Sequence, residues 1–384
     1  MDLLEYLAKK EEEYREFDIL RAPHIFSKLA RDSKKLSNPK CKIIQILGTN
    51  GKGSTGRFLS LMLRSAGFNV GHFTSPHLLS IRERFWLNGD NVAFDVLNDA
   101  LNKFDFSILE KASYFEVLTF LALEVFSNCD YFVCEAGLGG EYDSTTTCFK
   151  SYMKVFTKID YDHQDRLGNS IRQIATTKLN AINIENRCVF IGIQEYDEVY
   201  DIARQIATSK NVNLKIIKNI PKNIKDACKV HNYPFYQYEN FALASAVFCE
   251  LGFSMEALDI PKLDLLGRMQ KISDNIYLDV AHNVSGAKEI LKVFRNSKII
   301  LVYNSYFDKN PSEILKILRP IIERVEIFDV KNNQRIMQKN NLCKILDSLR
   351  IKYCDFESIN SDFKYLVCGS FSVVGEFLNL EYCK

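Results

Sequence analysis

Lys42-Ile43-Ile44-Gln45-Ile46-Leu47-Gly48-Thr49-Asn50-Gly51-Lys52-Gly53-Ser54 is the stretch on which the reading of this chain turns. Its first six residues are apolar enough for a buried strand. A glycine-rich turn follows, then a helical pattern with Phe58, Leu61, Met62 and Ser65 on one face. Strand, glycine loop and helix in that order let backbone N–H groups turn toward phosphate oxygens. The helix N-terminus adds partial positive charge and Lys52 a full one. Ser54 is placed to offer its hydroxyl to Mg²⁺ on the phosphates. Gly48, Thr49, Asn50, Gly51, Lys52, Gly53 and Ser54 are therefore the expected nucleotide contacts. The match to G-x-x-x-x-G-K-[ST] is imperfect, because Gly53 separates the lysine from the hydroxyl residue.

Outward from the loop, continuous apolar runs recur at 131–137, 154–159 and 188–193, with a helix expected around Glu116–Ser127. Such strands, spaced by helices, predict a parallel sheet covered on both faces. Runs at 275–280, 298–304, 325–330 and 365–370 repeat the style on a smaller scale. The expected fold is α/β: a P-loop, parallel-sheet ATPase domain over 1–264, then a smaller doubly wound, Rossmann-like α/β domain over 265–384. The segment Leu258–Leu266, with Pro261, reads as the linker.

Composition narrows the function classes. Hydrophobic residues make up 47% and charged residues 26% of 384, with a net charge of +2. That predicts no nucleic-acid tail and no basic membrane face, so an anionic ligand needs a local site. The 11 cysteines form no CxxC pair and read as buried free thiols of a reducing compartment. The first 17 residues read as an amphipathic helix without a signal-peptide core, and no apolar stretch is long enough to span a membrane. A cytoplasmic monomer is the expectation.

Three further residues stand out singly. Glu135 ends an apolar strand, where a carboxylate faces a nucleotide site at the strand's C-terminal edge. His163 follows another strand at a similar edge. Lys178 shares a helix face with Ile171, Ile174, Ala175 and Ile182, with Asn169 or Ser170 as the cap. A lysine on that face must pair, snorkel or lose its charge.

The loop GTNGKGS resembles that of the Mur ligase superfamily, specifically folylpolyglutamate synthase and dihydrofolate synthase. The resemblance continues through Thr74-Ser75-Pro76-His77-Leu78 with Arg82-Glu83-Arg84, through Glu135-Ala136-Gly137-Leu138-Gly139-Gly140 with Asp143-Ser144-Thr145, and through Asp162-His163 with Leu167-Gly168. It ends with Gly267-Arg268, Asp279-Val280-Ala281-His282-Asn283, and Gly369-Ser370 with Val374-Gly375-Glu376. By resemblance, Ser54, Ser75, Glu135 and His163 hold Mg²⁺. Lys178 stands where the family carries a carbamylated lysine that helps hold a second Mg²⁺, although Thr176-Thr177-Lys178-Leu179-Asn180 departs from the usual Glu-Lys-Ala-Gly. Asn240, Arg268 and Asp279 match ATP contacts, with Arg268 at the domain junction, where closure would carry its guanidinium to the phosphates. His282 and Ser370 are the candidates for the incoming glutamate. Tyr114-Phe115-Glu116, opposite Tyr142-Asp143-Ser144, resembles the pterin side, and Glu141 stands where family members often have arginine.

The implied chemistry is amide ligation in two steps. The carboxylate of dihydropteroate or a folate attacks the γ-phosphate of ATP, and the amine of L-glutamate then displaces phosphate. Lys52, Lys178, Arg268 and His282 are the catalytic candidates. Two alternative readings fit less of the sequence. A peptidoglycan-type Mur ligase carries a uridine-nucleotide domain ahead of the loop, and only 47 residues precede Gly48 here. A GTP-dependent switch would use Thr157-Lys158-Ile159-Asp160 as a T-K-x-D signature but needs Ser or Thr where Gly53 stands.

Overall fold

The computed structural model describes residues 1–10, 18–256, 262–331 and 333–380. They form two compact units. The first contains Met1–Ser75, Arg82–His231 and Gln237–Leu263, and the second Pro76–Ile81, Asn232–Tyr236 and Asp264–Lys384. Two short segments from within 1–264 thus cluster with the later unit, which a single cut at 264 does not capture. Residues 258–261 of the expected linker and 11–17 of the expected first helix lie outside the described residues. The described start of the chain is helical over Leu3–Ala8.

The first unit is built on an eight-stranded sheet. Its strands are β1 (Lys42–Leu47), β2 (Val70–Phe73), β3 (Phe85–Leu87), β4 (Asp90–Asn91), β5 (Tyr131–Glu135), β6 (Met153–Phe156), β7 (Cys188–Ile191) and β8 (Leu214–Ile216). Their order is β4-β3-β2-β5-β1-β6-β7-β8. Strands β2, β5, β1, β6, β7 and β8 run parallel, and β3 and β4 add an antiparallel edge. Central strands β1 (past Lys42), β5, β6 and β7 are buried on both faces because helices cover both.

The helix Lys52–Ser65 is buried from Gly53 to Leu63, around its whole circumference and not on one face alone. It lies close on β2. A Cβ on Gly56 would press on His72 Nε2 at 2.6 Å. Beside that contact Arg57 Nε donates to His72 Nδ1 at 3.0 Å, with its guanidinium 4.7 Å from the centre of the Trp86 ring. Phe58 stacks on Phe241 of the helix Phe235–Glu250 with ring centres 4.7 Å apart. These contacts fix the height of the helix start above the sheet, which places the loop before it.

The second unit carries β9 (Arg268–Lys271), β10 (Ile276–Asp279), β11 (Ile299–Tyr303), β12 (Ile322–Ile327), β13 (Tyr353–Asp355) and β14 (Tyr365–Cys368), in the order β13-β12-β11-β14-β10-β9. All neighbours are parallel except β9 against β10. Helices Val284–Phe294, Pro311–Leu318 and Lys339–Ser348 share one apolar core with β11, and Phe371–Leu378 packs in the other. The sheet is therefore wound on both faces. Strand β12 begins three residues before the apolar run VEIFDV, with Ile322 as its first residue. Arg268, expected in a junction, opens the edge strand β9. Among the described residues no helix is long and apolar enough to cross a membrane, and the cysteines are free thiols, buried except for Cys249, Cys343 and Cys354.

Candidate active site

The loop after β1 is braced from behind and open in front. Thr49 and Asn50 N–H both donate to the Lys158 carbonyl, at 2.8 and 3.2 Å. The Thr49 hydroxyl donates to the Asp160 carbonyl and accepts from Asp160 N–H, each at 3.0 Å. Thr157–Asp160 thus braces the loop. The N–H groups of Gly51, Lys52, Gly53 and Ser54 have no acceptor among the described residues. These four are the orphan donors of a helix start, gathered where positive dipole ends converge. Two glycines are demanded by contact. Gly48 (φ +142°) faces the Thr157 side chain and Gly51 (φ +88°) faces Asn240 Oδ1, so a Cβ at either position would collide.

Lys52 reaches across the loop mouth. Its Nζ donates to the Thr49 carbonyl at 3.2 Å and stands 3.7 Å from Glu135 Oε1. Glu135, buried at the end of β5, accepts on Oε2 from the Thr74 hydroxyl and from Ser75 N–H at 3.2 Å. The ends of β1, β2 and β5 thereby bring Lys52, Ser75 and Glu135 together. Ser54 is buried, and Gln237 Nε2 donates to its hydroxyl at 3.2 Å. Asn240 holds Gln237 in turn, donating from Nδ2 to Gln237 Oε1 at 3.0 Å. Asn240 is among the candidates the resemblance names, whereas Gln237 and Thr74 are not. Gln237 lies three residues before Asn240, on the same helix face, and that spacing was the available signal.

Among the described residues no three His, Cys, Asp or Glu side chains gather as a metal cluster. One carboxylate with neighbouring hydroxyls is nevertheless the donor set that suits Mg²⁺, which keeps waters and phosphate oxygens in its shell. His163 occupies the N-cap position of the short helix Gln164–Leu167 in a left-handed conformation (φ +49°), without a side-chain capping bond, and its Nε2 lies 3.9 Å from Asp162 Oδ1. A non-glycine residue held there is strained and marks a site worth testing.

Lys178 is buried as its periodicity required, on the helix Ile171–Leu179 capped by Ser170. Ile182 is buried too, but three residues past the helix end. Lys178 Nζ donates to the Gly48 carbonyl at 3.1 Å. Burial, helped by the charge of Lys52, pulls its amine down to about 7.

On the other side of β5, Thr119 on the helix Tyr114–Phe126 hydrogen-bonds Ser144 Oγ at 2.8 Å, and the Phe115 ring lies against Gly137. Tyr142 is exposed. The Asp143 carboxylate caps the helix Ser144–Cys148, accepting from Thr145 N–H and from Leu138 N–H, each at 2.9 Å. Burial nevertheless raises its pKa above the usual carboxylate value. Glu116 forms the capping box with Ser113 and an ion pair with Arg21 at 2.9 Å. Glu141 accepts from Asn180 Nδ2 at 3.0 Å.

The second unit has its own polar cluster. Asp279, buried at the end of β10, accepts from the Tyr236 hydroxyl and Met269 N–H at 2.9 Å and from Ala281 N–H at 2.8 Å. The Arg268 guanidinium lies 5.2 Å from the Phe371 ring centre, and the His282 ring 5.9 Å from it. His282 Nδ1 lies 2.9 Å from the Val280 carbonyl, which makes it the protonated nitrogen. Ser370 caps the helix Phe371–Leu378 through Val373 N–H at 3.1 Å.

No protein-family model matches the chain. It is 30% identical over 329 residues to the dihydrofolate synthase/folylpolyglutamate synthase of Haemophilus influenzae, covering 75% of this chain and 74% of that one. The crystal structure of Helicobacter pylori folylpolyglutamate synthetase is 38% identical, covers 98% of this chain and 96% of its own, and superposes with a TM-score of 0.78. A bifunctional folylpolyglutamate synthase/dihydrofolate synthase with Mn, AMPPNP and L-glutamate bound shares the fold, with a TM-score of 0.80, at 24% identity over 98% of this chain and 97% of its own.

Proposed function

Since the chain belongs to the folylpolyglutamate synthase/dihydrofolate synthase family, we propose a residue-level account of its reaction. It is an ATP-dependent ligase that adds glutamate to a folate-type acid. The observation that carries our account is the row of four acceptor-free amides at Gly51–Ser54 beside the Lys52 ammonium.

The acid's carboxylate oxygen attacks the γ-phosphorus and ADP leaves. The glutamate nitrogen then attacks the acyl carbon, and phosphate departs with that oxygen. Phosphorylation is needed because a bare carboxylate has no acceptable leaving group. The amides of 51–54 and Lys52 hold the phosphates and offset the charge that grows on them, with little reorganisation. Glu135, Ser54, Ser75 and His163 are the residues we assign to the divalent ion, which neutralises phosphate charge when bound. Mg²⁺ is our choice because the donors are hard and few. We assign a carbamate to Lys178, whose buried amine is free to take up CO₂ near neutral pH. A carbamate keeps one N–H, so the bond to Gly48 O persists.

Tyr114, Phe115, Tyr142, Asp143 and Ser144 are assigned to the acid substrate. Arg268 and Asp279 keep their expected role toward ATP, and His282 and Ser370 theirs toward glutamate. We assign residues 1–264 to ATP and folate and 265–384 to glutamate, in a cytoplasmic monomer.

A substrate panel tests this reading. Dihydropteroate, tetrahydrofolate and a UDP-muramoyl acid are each supplied with ATP, Mg²⁺ and glutamate. Glutamate-dependent ADP release is expected with one or both pteridines, lost on chelation and restored by Mg²⁺. Turnover of the muramoyl acid alone would overturn it.

A further inference from the structure

A second buried lysine lies outside the machinery described so far. Lys154, on β6, is fully buried and in register with Gln45 on β1 and, beyond it, Cys134 on β5. Its Nζ donates to Gln45 Oε1. The two protons of the Gln45 amide go to Thr145 Oγ1 and Thr146 Oγ1, each at 2.7 Å. The Thr145 hydroxyl, accepting there, donates to Asp143 Oδ1 at 2.5 Å. Asp143 Oδ2 accepts from Leu138 N–H at 2.9 Å, inside the glycine turn after β5.

With Lys154 charged, every link in this row has one allowed direction. Lysine has donors and no acceptor when charged, so it forces the Gln45 carbonyl toward itself and the amide protons toward the threonines. With the amide flipped, Gln45 would present N–H to the ammonium, and the Thr145 proton would be drawn to the Gln45 oxygen and away from Asp143. An apolar side chain would fill the same volume without the desolvation that burial imposes on a lysine. Burial pulls Lys154 down to about 7, and it donates in either protonation state.

We propose that Lys154 is a positioning residue for the acid substrate, fixing Asp143 and the Gly137–Gly140 turn through Gln45 and Thr145. This rests on the assignment of Tyr142–Ser144 to that substrate. Lys154 does not touch the substrate. It sets the direction of a hydrogen-bond row that ends in the loop that does.

The test uses the whole enzyme and four variants: Lys154→Met, Thr145→Val, Asp143→Asn and the double variant Lys154→Met/Asp143→Asn. KM for the acid, KM for ATP and Tm are measured for each. Lys154→Met and Thr145→Val should each raise KM for the acid about tenfold. KM for ATP should stay within about twofold, and the double variant should match Asp143→Asn within about twofold. Tm of Lys154→Met should fall by no more than about 3 °C, or rise. Unchanged KM for the acid in Lys154→Met, with Asp143→Asn impaired, overturns the relay alone. So does additivity in the double variant, or a fall in Tm with both KM values raised equally. Asp143→Asn without effect on KM for the acid overturns the relay together with the substrate assignment beneath it. Thr145→Val, which keeps the side-chain shape, carries the test if Lys154→Met does not fold.

Discussion

Lys52→Ala is expected to lower kcat for glutamate-dependent ADP release by about a thousandfold, at the upper end of what one preorganised donor supplies. The amides of Gly51–Ser54 contribute only partial charges, and Lys52 adds a full positive charge at the mouth of the loop. Its head is already held by the Thr49 carbonyl at 3.2 Å and faces Glu135 at 3.7 Å. Little ordering is therefore left to do when phosphate charge shifts, and the loss falls on the transition state. Nucleotide binding should weaken less than kcat, because the amides remain. Steady-state kinetics with ATP titrated at saturating acid and glutamate separates the two effects. A kcat within about tenfold of the parent would remove Lys52 from the chemistry.

Lys178→Met carries the second large effect, a fall in kcat of about a hundredfold. Methionine fills the buried volume but can carry neither a proton nor a carbamate. With ¹³C-bicarbonate, the parent should give a carbamate carbon resonance near neutral pH that Lys178→Met lacks. The resonance should fade as pH drops below about 7, where the amine is protonated and cannot attack CO₂. Full activity in the variant would exclude a role for Lys178. Reduced activity with no carbamate signal in the parent would leave the role and reject the modification.

The central strands and the loop were legible because each is a local pattern: a short apolar run, then glycines, then helical spacing. Lys178 was legible because helix periodicity alone put a charge on an apolar face. Strand β2 was not. Val70–Phe73 is short and contains Gly71, where any side chain would run into the Phe126 ring from far along the chain. Gln237, Thr74, Gln45 and Lys154 escaped for a related reason. Each is a polar residue with a partner 61 to 183 positions away, a contact of which sequence spacing carries no trace; for Gln237 only its place three residues before Asn240 was readable. Glu116 shows the same limit: its place in the motif was visible, but its ion pair with Arg21, 95 residues distant, was not. The domain cut near 264 followed composition. Asn232–Tyr236 joins the second unit through a tertiary bond of Tyr236 to Asp279 that composition does not encode.

The claim beneath all of this is that phosphorylation of the acid precedes attack by the amine. Turnover with an acid substrate labelled with ¹⁸O in its carboxylate tests it most directly, with the inorganic phosphate read by mass spectrometry or ³¹P NMR. The account predicts one labelled oxygen in each phosphate released. Phosphate free of label, with normal product formed, would contradict it.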